Sequence, residues 1–582
     1  MNGLTTRNLL LSTILAIFFS NVYSQSKIDS LVIERFQLED SVECFLIFNS
    51  QVEAIEIDDN LKKEQKAEIV YNHLSSISQT TQSSIIDSLI QWNIPFKSFY
   101  IVNAIKVKID SHHLESLTRD SAISTVVPDF TVAVSQITEP TFNVRSSEKY
   151  LNWAIEKIGA DQVWKQGYTG RNVVIGGQDT GYEWDHYLLK NKYRGWISND
   201  SADHNYHWYD AIAGPNPIHR DSANIPENTP CGFGNLSPCD DNGHGNHTMG
   251  IALGSGNGDS SGIAPGAQWI GVRVMDRGYG QLSTYLSGLQ WFLAPTDIYG
   301  NHPRPELAPD VIINSWSCPL VEGCRANNFY LLDSAINRLT ESGVFVVVSA
   351  GNEGRNGCES LTTYPAIFEN SFTVGASTES DSIADFSNRS PNIENGVKPE
   401  VVAPGVGIQS AFLNGQLKTL SGTSMSGPVV AGVVALIIEA NPSLAGKVDK
   451  IRKILIESTY EIEDNPCGPM ASPNSVYGYG RIDAFKAVQL AQEVTTHETI
   501  FTKNPIVKIY PNPIHSGFNI DFGLINSEIK LDIININGSI VFSKKLTNTK
   551  NHYINIEFLK NGMYFVRLVQ DQGWTIHKII KI

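Results

Sequence analysis

The chain has 582 residues, a formal net charge of -16 and 41% hydrophobic residues. This length exceeds that of one ordinary domain, so we expect several domains with folded cores. The acidic balance argues against nucleic acid as a partner, because nucleic-acid binding requires a basic face.

The amino terminus has the pattern of a signal peptide over residues 1–24. Arg7 supplies the basic start, residues 9–19 form the apolar run, and residues 22–24 form the small-residue cleavage region. A transmembrane helix needs about 20 apolar residues, and neither this run nor the apolar stretch 429–438 is that long. We therefore expect an exported protein without a membrane-spanning helix.

Six of the seven cysteines lie between positions 231 and 467, and Cys44 stands apart. In an exported chain six cysteines favour three disulfides, for which there are 15 pairings. Short spacings favour two of the pairs and leave the third to close a long loop. The expected disulfides are Cys231–Cys239, Cys318–Cys324 and Cys358–Cys467.

Residues 25–140 have the pattern of a small α/β domain. The expected strands lie at 44–48, on both sides of Pro95 up to residue 109, and at 123–127. The expected helices lie at 60–77, at 80–92 and around Leu114. A polar connector at 135–149 then leads to the next domain.

Residues 150–493 alternate strand-like and helix-like runs, which is typical of a parallel sheet covered by helices on both faces. The expected strands are 172–177, 269–274, 310–316, 344–349 and 371–375. The expected helices are 283–293, 327–341, 429–440 and 483–492. Active groups in such folds collect beyond the carboxyl ends of the strands, and Asp179 and Asn352 directly follow strands.

Residues 505–582 change to short alternating runs with Asn-Gly turns at 537–538 and 561–562. This pattern predicts an all-β sandwich. Pattern alone does not exclude a plain accessory or carbohydrate-binding domain.

Ser424 lies in Gly-Thr-Ser-Met-Ser-Gly-Pro, residues 422–428, directly before the expected helix 429–440. Small neighbours expose its hydroxyl, and the amino end of a helix favours negative charge nearby. A serine before a helix is most often only an N-cap, so the assignment of a nucleophile depends on its partners.

Three further motifs supply those partners: Gln-Asp-Thr-Gly at Asp179, Asn-Gly-His-Gly-Asn-His at His244, and Ala-Gly-Asn-Glu-Gly at Asn352. In this order the four motifs resemble the subtilase family of serine endopeptidases, which have a subtilisin-like fold. The resemblance implies that Ser424 attacks the scissile carbonyl, His244 carries its proton and Asp179 orients the imidazole. It also implies that Asn352 donates a hydrogen bond to the oxyanion.

Each motif has another interpretation. Asp-Thr-Gly is also the aspartic-protease signature, but that mechanism needs a second such carboxylate, and the sequence has no second Asp-Thr-Gly or Asp-Ser-Gly. His244 and His247 with Cys231 and Cys239 have the ligand types of a zinc site. Asn352 alone would suit a left-handed turn between glycines.

Residues 311–317 resemble the strand along which subtilases bind the substrate backbone, which implies substrate contacts for Ser315, Trp316 and Ser317. This chain has Ser317 and Cys318 where many subtilases have glycines. It has Asn246 where they usually have threonine. These departures leave the shape of the substrate pocket open.

The flanking domains also resemble known units. The order of elements in residues 25–140, including the segment 99–104, resembles the inhibitory propeptides of subtilases. Residues 505–582 contain Tyr-Pro-Asn-Pro at 510–513, a motif at 561–568 and the tail Lys-Ile-Ile-Lys-Ile. Together these resemble the type IX secretion sorting domain of Gram-negative bacteria.

The sequence therefore predicts a secreted or cell-surface serine endopeptidase, made as a preproenzyme, that hydrolyses proteins through an acyl-enzyme. The rival hypothesis is an inactive subtilisin-like scaffold that binds a surface or glycan. Expected partners are protein or peptide substrates, its own propeptide as inhibitor and the type IX machinery, through the periplasm; a monomer is expected. The chemistry requires no cofactor, and although calcium is common in the family, no ligands are identified.

Overall fold

The computed structural model describes residues 27–52, 54–129, 152–198, 201–219, 230–390, 396–464, 466–468, 472–494, 508–521, 529–535, 540–546, 551–570 and 573–582. The expected signal peptide, the connector 135–149 and the turn at 537–538 lie outside these residues. The chain divides into two compact units, Met1–Val494 and Thr495–Ile582.

The first unit begins with a four-stranded antiparallel sheet, which we call the N-terminal sheet. In sheet order its strands are Phe96–Phe99, Ala104–Asp110, Ser41–Phe48 and Ile123–Pro128. The helices of this region are Ser30–Arg35, Lys63–Gln91 and Ser111–Thr118.

Two expectations for this region are wrong. One continuous helix replaces the two expected at 60–77 and 80–92, because the polar stretch between them has no glycine or proline and the hydroxyls of Thr80 and Thr81 bond back to carbonyls of the preceding turn. Pro95 lies directly before the strand Phe96–Phe99 and does not separate the two strands of the expected pair. The chain reverses at residues 100–103, where Asn103 adopts a left-handed conformation with φ 38°.

The core of the first unit is a seven-stranded parallel sheet, the central sheet. Its strands, in sheet order, are Val401–Pro404, Phe372–Ser377, Phe345–Ser349, Val311–Asn314, Val174–Asp179, Gln268–Arg273 and Trp208–Asp210. The five interior strands are those expected from the sequence, with ends shifted by at most two residues. The two edge strands were not expected, because runs of three and four residues are too short to show a period.

Helices flank the central sheet, as expected for this fold class. They are Trp153–Lys157, Ala160–Lys165, His244–Leu253, Leu282–Leu293, Tyr330–Glu341, Thr423–Ala440, Val448–Glu457 and Ala484–Glu493. The helix His244–Leu253 was not expected, because its sequence contains two glycines and two histidines and has no apolar stripe.

The helix that carries Ser424, which we call the serine helix, spans Thr423–Ala440 and is buried along most of its length. It begins six residues earlier than expected, so Ser424 is its second residue and does not lie in a turn before it. Pro428 has no N–H to donate to the carbonyl of Ser424, and the Ser315 hydroxyl donates to that carbonyl instead at 3.0 Å. Among the described helices it alone is long and apolar enough to span a membrane, but 83% of it is buried within the protein.

Three disulfides join Cys231 to Cys239, Cys318 to Cys324 and Cys358 to Cys467. Cys44 is a buried free thiol in the N-terminal sheet.

The second unit consists of two antiparallel sheets around their own apolar core. One sheet contains Lys508–Tyr510, Gly517–Asp521 and Asn551–Asn555. The other contains Ile540–Leu546, Ile529–Asn535, Gly562–Gln570 and Gly573–Lys581. The β-rich character expected for residues 505–582 is confirmed.

Candidate active site

The residues expected to carry the chemistry lie in or directly behind one cleft at the carboxyl ends of the central strands. Asp179 is the last residue of Val174–Asp179, and the segment after Phe345–Ser349 carries Asn352. His244 begins its helix and Ser424 lies in the first turn of the serine helix. His244, Asn352 and Ser424 line the cleft, and Asp179 is buried directly behind His244.

Asp179 and His244 form a close pair. The distance from Asp179 Oδ1 to His244 Nδ1 is 2.8 Å, and the aspartate side chain is 1% exposed whereas the histidine side chain is 26% exposed. A carboxylate only accepts, so Nδ1 carries the proton and Nε2 is left free as a base. Asp179 is held in turn by the backbone N–H of Thr180, which donates to Oδ1 at 2.7 Å.

The electrostatics of His244 depend on two opposing causes. Burial lowers the pKa of His244, but the negative charge and hydrogen bond of Asp179, helped by Asp240, outweigh it and raise the pKa above 6.5. The pairing therefore stabilises the imidazolium that forms when the ring accepts a proton. Asp179 pairs with a histidine and not with a second carboxylate, which argues against the aspartic-protease interpretation.

The Ser424 hydroxyl donates to the backbone carbonyl of Ser315 at 3.2 Å. Within the part of the chain that the structure describes, no hydrogen bond joins this hydroxyl to His244. Catalytic hydrogen bonds of ligand-free enzymes are often long and tighten only when substrate is bound. As the second residue of its helix, Ser424 also has a backbone N–H with no acceptor inside the helix.

Asn352 faces the cleft with its amide group in a fixed orientation. The backbone N–H and the hydroxyl of Thr423 donate to Asn352 Oδ1 at 2.9 and 3.0 Å. Since a backbone N–H only donates, the oxygen must face Thr423 and the NH₂ group lies on the other side of the amide. Asn352 is therefore held by a hydrogen-bond network, which a simple turn residue would not need.

Asp240 was missed by the sequence argument and holds the histidine segment in place. It is buried, and its carboxylate accepts from the backbone N–H groups of Asn242, Gly243 and Asn246 and from the Thr180 hydroxyl. Burial raises its pKa to about 6, although these hydrogen bonds oppose the shift. Asp240 lies four residues before the first residue of the helix, and no short capping pattern in the sequence identifies it.

At two motif positions, Gly181 and Gly245, another backbone segment lies so close that only glycine fits. A Cβ on Gly181 would overlap the carbonyl of Cys239, and Gly181 has φ 121°. A Cβ on Gly245 would overlap the carbonyl of Gly181. These contacts bring the aspartate and histidine segments together.

The zinc interpretation conflicts with the structure. Cys231 and Cys239 are joined in a disulfide and cannot serve as thiolate ligands. His247 is buried, its Nε2 lies 2.9 Å from the carbonyl of Lys418, and burial lowers its pKa to about 3. His247 is therefore a neutral structural residue.

The substrate-side residues Ser315, Trp316 and Ser317 all line the cleft. They follow the strand Val311–Asn314, which is shorter than the expected 310–316. Asn246 does not line the cleft. It is buried and bonds to the backbone and the carboxylate of Glu183, so this departure from the family pattern joins the histidine helix to a neighbouring loop.

Behind the site, Arg273 stabilises the loops that follow Asp179. Its strand position pairs with Asp179 in the central sheet. Its guanidinium is fully buried and contacts the carboxylates of Asp210, Asp241 and Asp276 at 3.2, 2.5 and 3.3 Å. Burial raises the pKa of Asp210 and Asp241, and Arg273 opposes that shift.

No calcium ligands are assigned. Among the described residues, the group of three close side chains that could hold a metal is Asp110, His112 and His113, near the N-terminal sheet. Two imidazoles do not suit Ca²⁺, which takes oxygen ligands.

Comparisons with known proteins agree with this geometry. The family model described as Subtilase family matches residues 170–480, and that described as Secretion system C-terminal sorting domain matches residues 508–582. Bacillopeptidase F of Bacillus subtilis is 34% identical over 404 residues, which are 67% of this chain and 26% of that protein. Serine protease AprX of Bacillus subtilis is 32% identical over 43% of this chain and 59% of its own length.

Subtilisin DY of Bacillus licheniformis is 29% identical over 58% of this chain and 98% of its own length. The chain thus spans about a quarter of bacillopeptidase F, under two thirds of AprX and nearly all of subtilisin DY. Because the Subtilase family match covers more than half of its residues, the chain belongs to the subtilase family.

Proposed function

We propose that the protein is a serine endopeptidase with Ser424 as nucleophile, His244 as general base and acid, and Asp179 as the group that orients His244. The observation that carries the proposal is the Asp179–His244 pair at 2.8 Å, beside the cleft that also contains Ser424 and Asn352. The intact set argues against the inactive-scaffold hypothesis.

The reaction follows from the positions of protons in this site. Ser424 Oγ attacks the scissile carbonyl as its proton passes to His244 Nε2, and the imidazolium pairs with Asp179. The negative oxygen that forms is stabilised by Asn352 Nδ2 and the free N–H of Ser424. His244 then protonates the leaving amine, and water hydrolyses the acyl-enzyme by the same route in reverse.

We further propose that residues 25–140 are an inhibitory propeptide and residues 150–493 the catalytic domain. The N-terminal sheet shares an apolar cluster with the helix Leu282–Leu293, which starts beside the cleft. Asp129 bonds to the backbone N–H of Ser283 at that helix start and pairs with Lys106 at 2.9 Å. The chain therefore leaves the N-terminal sheet next to the cleft, where a blocking segment would need to begin.

A second anchor of this domain lies at the amino-terminal ends of the central strands, away from the cleft. Lys63 at the start of the long helix is buried and pairs with Asp310 at 2.7 Å, directly before the strand Val311–Asn314. Lys66 donates to the carbonyl of Gly446 at 3.0 Å. Contacts at both ends of the central strands would hold the propeptide after it has been cut, so activation requires its degradation or release.

The sorting-domain match supports secretion or cell-surface localisation. We propose the finer route: residues 1–24 direct export to the periplasm of a Gram-negative bacterium, and residues 505–582 direct passage through the type IX machinery.

The test is to express the wild type and Ser424→Ala in full length. Wild type should shorten at its amino-terminal side and digest casein, whereas Ser424→Ala should keep its propeptide and show no activity. Ser426→Ala is a matched control, because Ser426 lies outside the cleft and its hydroxyl donates to the carbonyl of Thr423 at 2.9 Å. Full processing and activity in Ser424→Ala would exclude the proposed mechanism.

A further inference from the structure

The cleft extends beyond the proposed triad to a loop closed by the disulfide between Cys318 and Cys324. It has a volume of about 350 Å³, and its lining includes Tyr285, Trp316 and Glu322. The loop directly follows the substrate-side residues 315–317. Ser424, the substrate-side residues and Glu322 thus line the same cleft, so a peptide bound along residues 315–317 would extend toward Glu322.

Glu322 is a buried acid without a cation. It is 5% exposed, and its carboxylate accepts from the Tyr285 hydroxyl at 2.7 Å and from the backbone N–H of Gly280 at 3.1 Å. Among the described residues, no lysine, arginine or histidine forms an ion pair with it. Burial raises its pKa to about 7, although the two hydrogen bonds oppose the shift. A positive charge brought to this carboxylate would replace part of the lost hydration.

The neighbouring wall suits a long cationic side chain. The rings of Tyr285 and Trp316 stack with centroids 3.8 Å apart and an interplanar angle of 11°. Aromatic faces pack against the alkyl stem of lysine or arginine and attract its charged end. A carboxylate beside such faces adds a charge-assisted hydrogen bond.

Arg277 and Glu353, which are also charged and line the cleft, are less suited to bind a cationic side chain. Arg277 pairs with Asp276 at 3.3 Å, so its charge is compensated. Glu353 is exposed to solvent and bonds to the backbone N–H of Asn352 and to the side chain of Asn388. Glu322 is the buried, uncompensated charge among these three.

We propose that Glu322 is a specificity-determining residue that makes the cleft prefer peptides with lysine or arginine at the position that reaches the Cys318–Cys324 loop. This inference rests on the proposed endopeptidase function. A purely structural role, in which Glu322 only ties the loop to Tyr285 and Gly280, predicts no such preference.

The experiment measures kcat/KM of the mature enzyme on fluorogenic peptides that carry either lysine or norleucine at each successive position on the acyl side of the cut. Wild type should prefer lysine by about tenfold or more at one position. In Glu322→Gln the preference there should fall to within about twofold. Glutamine keeps the local bonds, because its oxygen accepts from Gly280 and its NH₂ group donates to the Tyr285 oxygen.

Glu359→Gln is the control, because Glu359 is exposed and lies outside the cleft. The inference is overturned if wild type shows no lysine preference at any position, a result that does not depend on the folding of the variant. It is also overturned if Glu322→Gln keeps the preference. Failure of the proposed function gives a different result, namely no cleavage of casein or of any peptide by wild type.

Discussion

Replacing Asp179 by asparagine removes the negative charge beside His244 and preserves the hydrogen-bond geometry. Asp179 Oδ1 accepts from both His244 Nδ1 and the backbone N–H of Thr180. An asparagine oxygen in the same place keeps both bonds, and its NH₂ group would face Thr248 Oγ1, which lies 3.4 Å from Asp179 Oδ2. The variant therefore keeps the imidazole tautomer and loses only the charge that stabilises the imidazolium.

The size of the effect follows from the charge pair. Two unit charges about 4 Å apart interact by about 4 kcal/mol at an effective dielectric constant of about 20, which corresponds to roughly 10³-fold in rate. We expect Asp179→Asn to lower kcat by about 10³-fold. Asp179→Ala, which also releases the ring, should lower it by at least about 10⁴-fold.

The pH profile gives an independent readout. His244 acts as a base only when neutral, and its pKa is raised, so kcat/KM of wild type should rise with pH through a midpoint above 6.5. Without the charge of Asp179, burial becomes the larger cause, and the midpoint should move to lower pH. Asp185→Asn, an exposed change, is the control. An unchanged midpoint and rate in Asp179→Asn would refute the assigned role of Asp179.

Three further outcomes are expected. Asn352→Ala should lower kcat by about 10²- to 10³-fold with little change in KM, measured by steady-state kinetics, because an oxyanion donor acts mainly in the transition state. Replacing Cys358 and Cys467 by serine opens a loop of 109 residues and should lower the free energy of unfolding by about 4 to 5 kcal/mol in the chain-entropy model, measured by denaturant titration; an unchanged midpoint would contradict this. Arg273→Met should cost about 3 to 5 kcal/mol at neutral pH by leaving buried carboxylates unpaired. The folded-state pKa values of Asp210 and Asp241 are already raised by burial and would then lie further above the unfolded values, so the deficit should shrink as pH falls; a deficit that grows would reverse the argument.

The sequence alone predicted the features that depend on short motifs and on the hydrophobic pattern of neighbouring residues. The five interior strands each contain a short apolar run, and each residue of the proposed triad lies in a short motif next to the end of a strand or the start of a helix. Ser424 was placed near the amino end of a buried helix from its small neighbours and the apolar run that follows. The helix start was misplaced, because the bond from Ser315 to the carbonyl freed by Pro428 is a tertiary contact that no local pattern shows.

Other features depend on contacts between distant segments. Asp240 and Glu322 have roles because the fold buries them against Thr180 and Tyr285, respectively, and neither contact has a sequence signature. Asn246 was expected to affect the substrate pocket, yet its side chain turns away to Glu183. A departure from a family motif thus shows which position differs from the family. The structure is needed to show whether the side chain at that position lines the cleft or contacts a neighbouring loop.

Chemical labelling tests the central claim most directly. The mature wild-type enzyme should be inactivated by a serine-directed fluorophosphonate, and peptide mapping should find one adduct, on Ser424. Ser424→Ala should take up no label under the same conditions, whereas Ser426→Ala should be labelled as wild type is. Inactivation with the adduct on another residue, or undiminished labelling of Ser424→Ala, would contradict the assignment of Ser424 as the nucleophile.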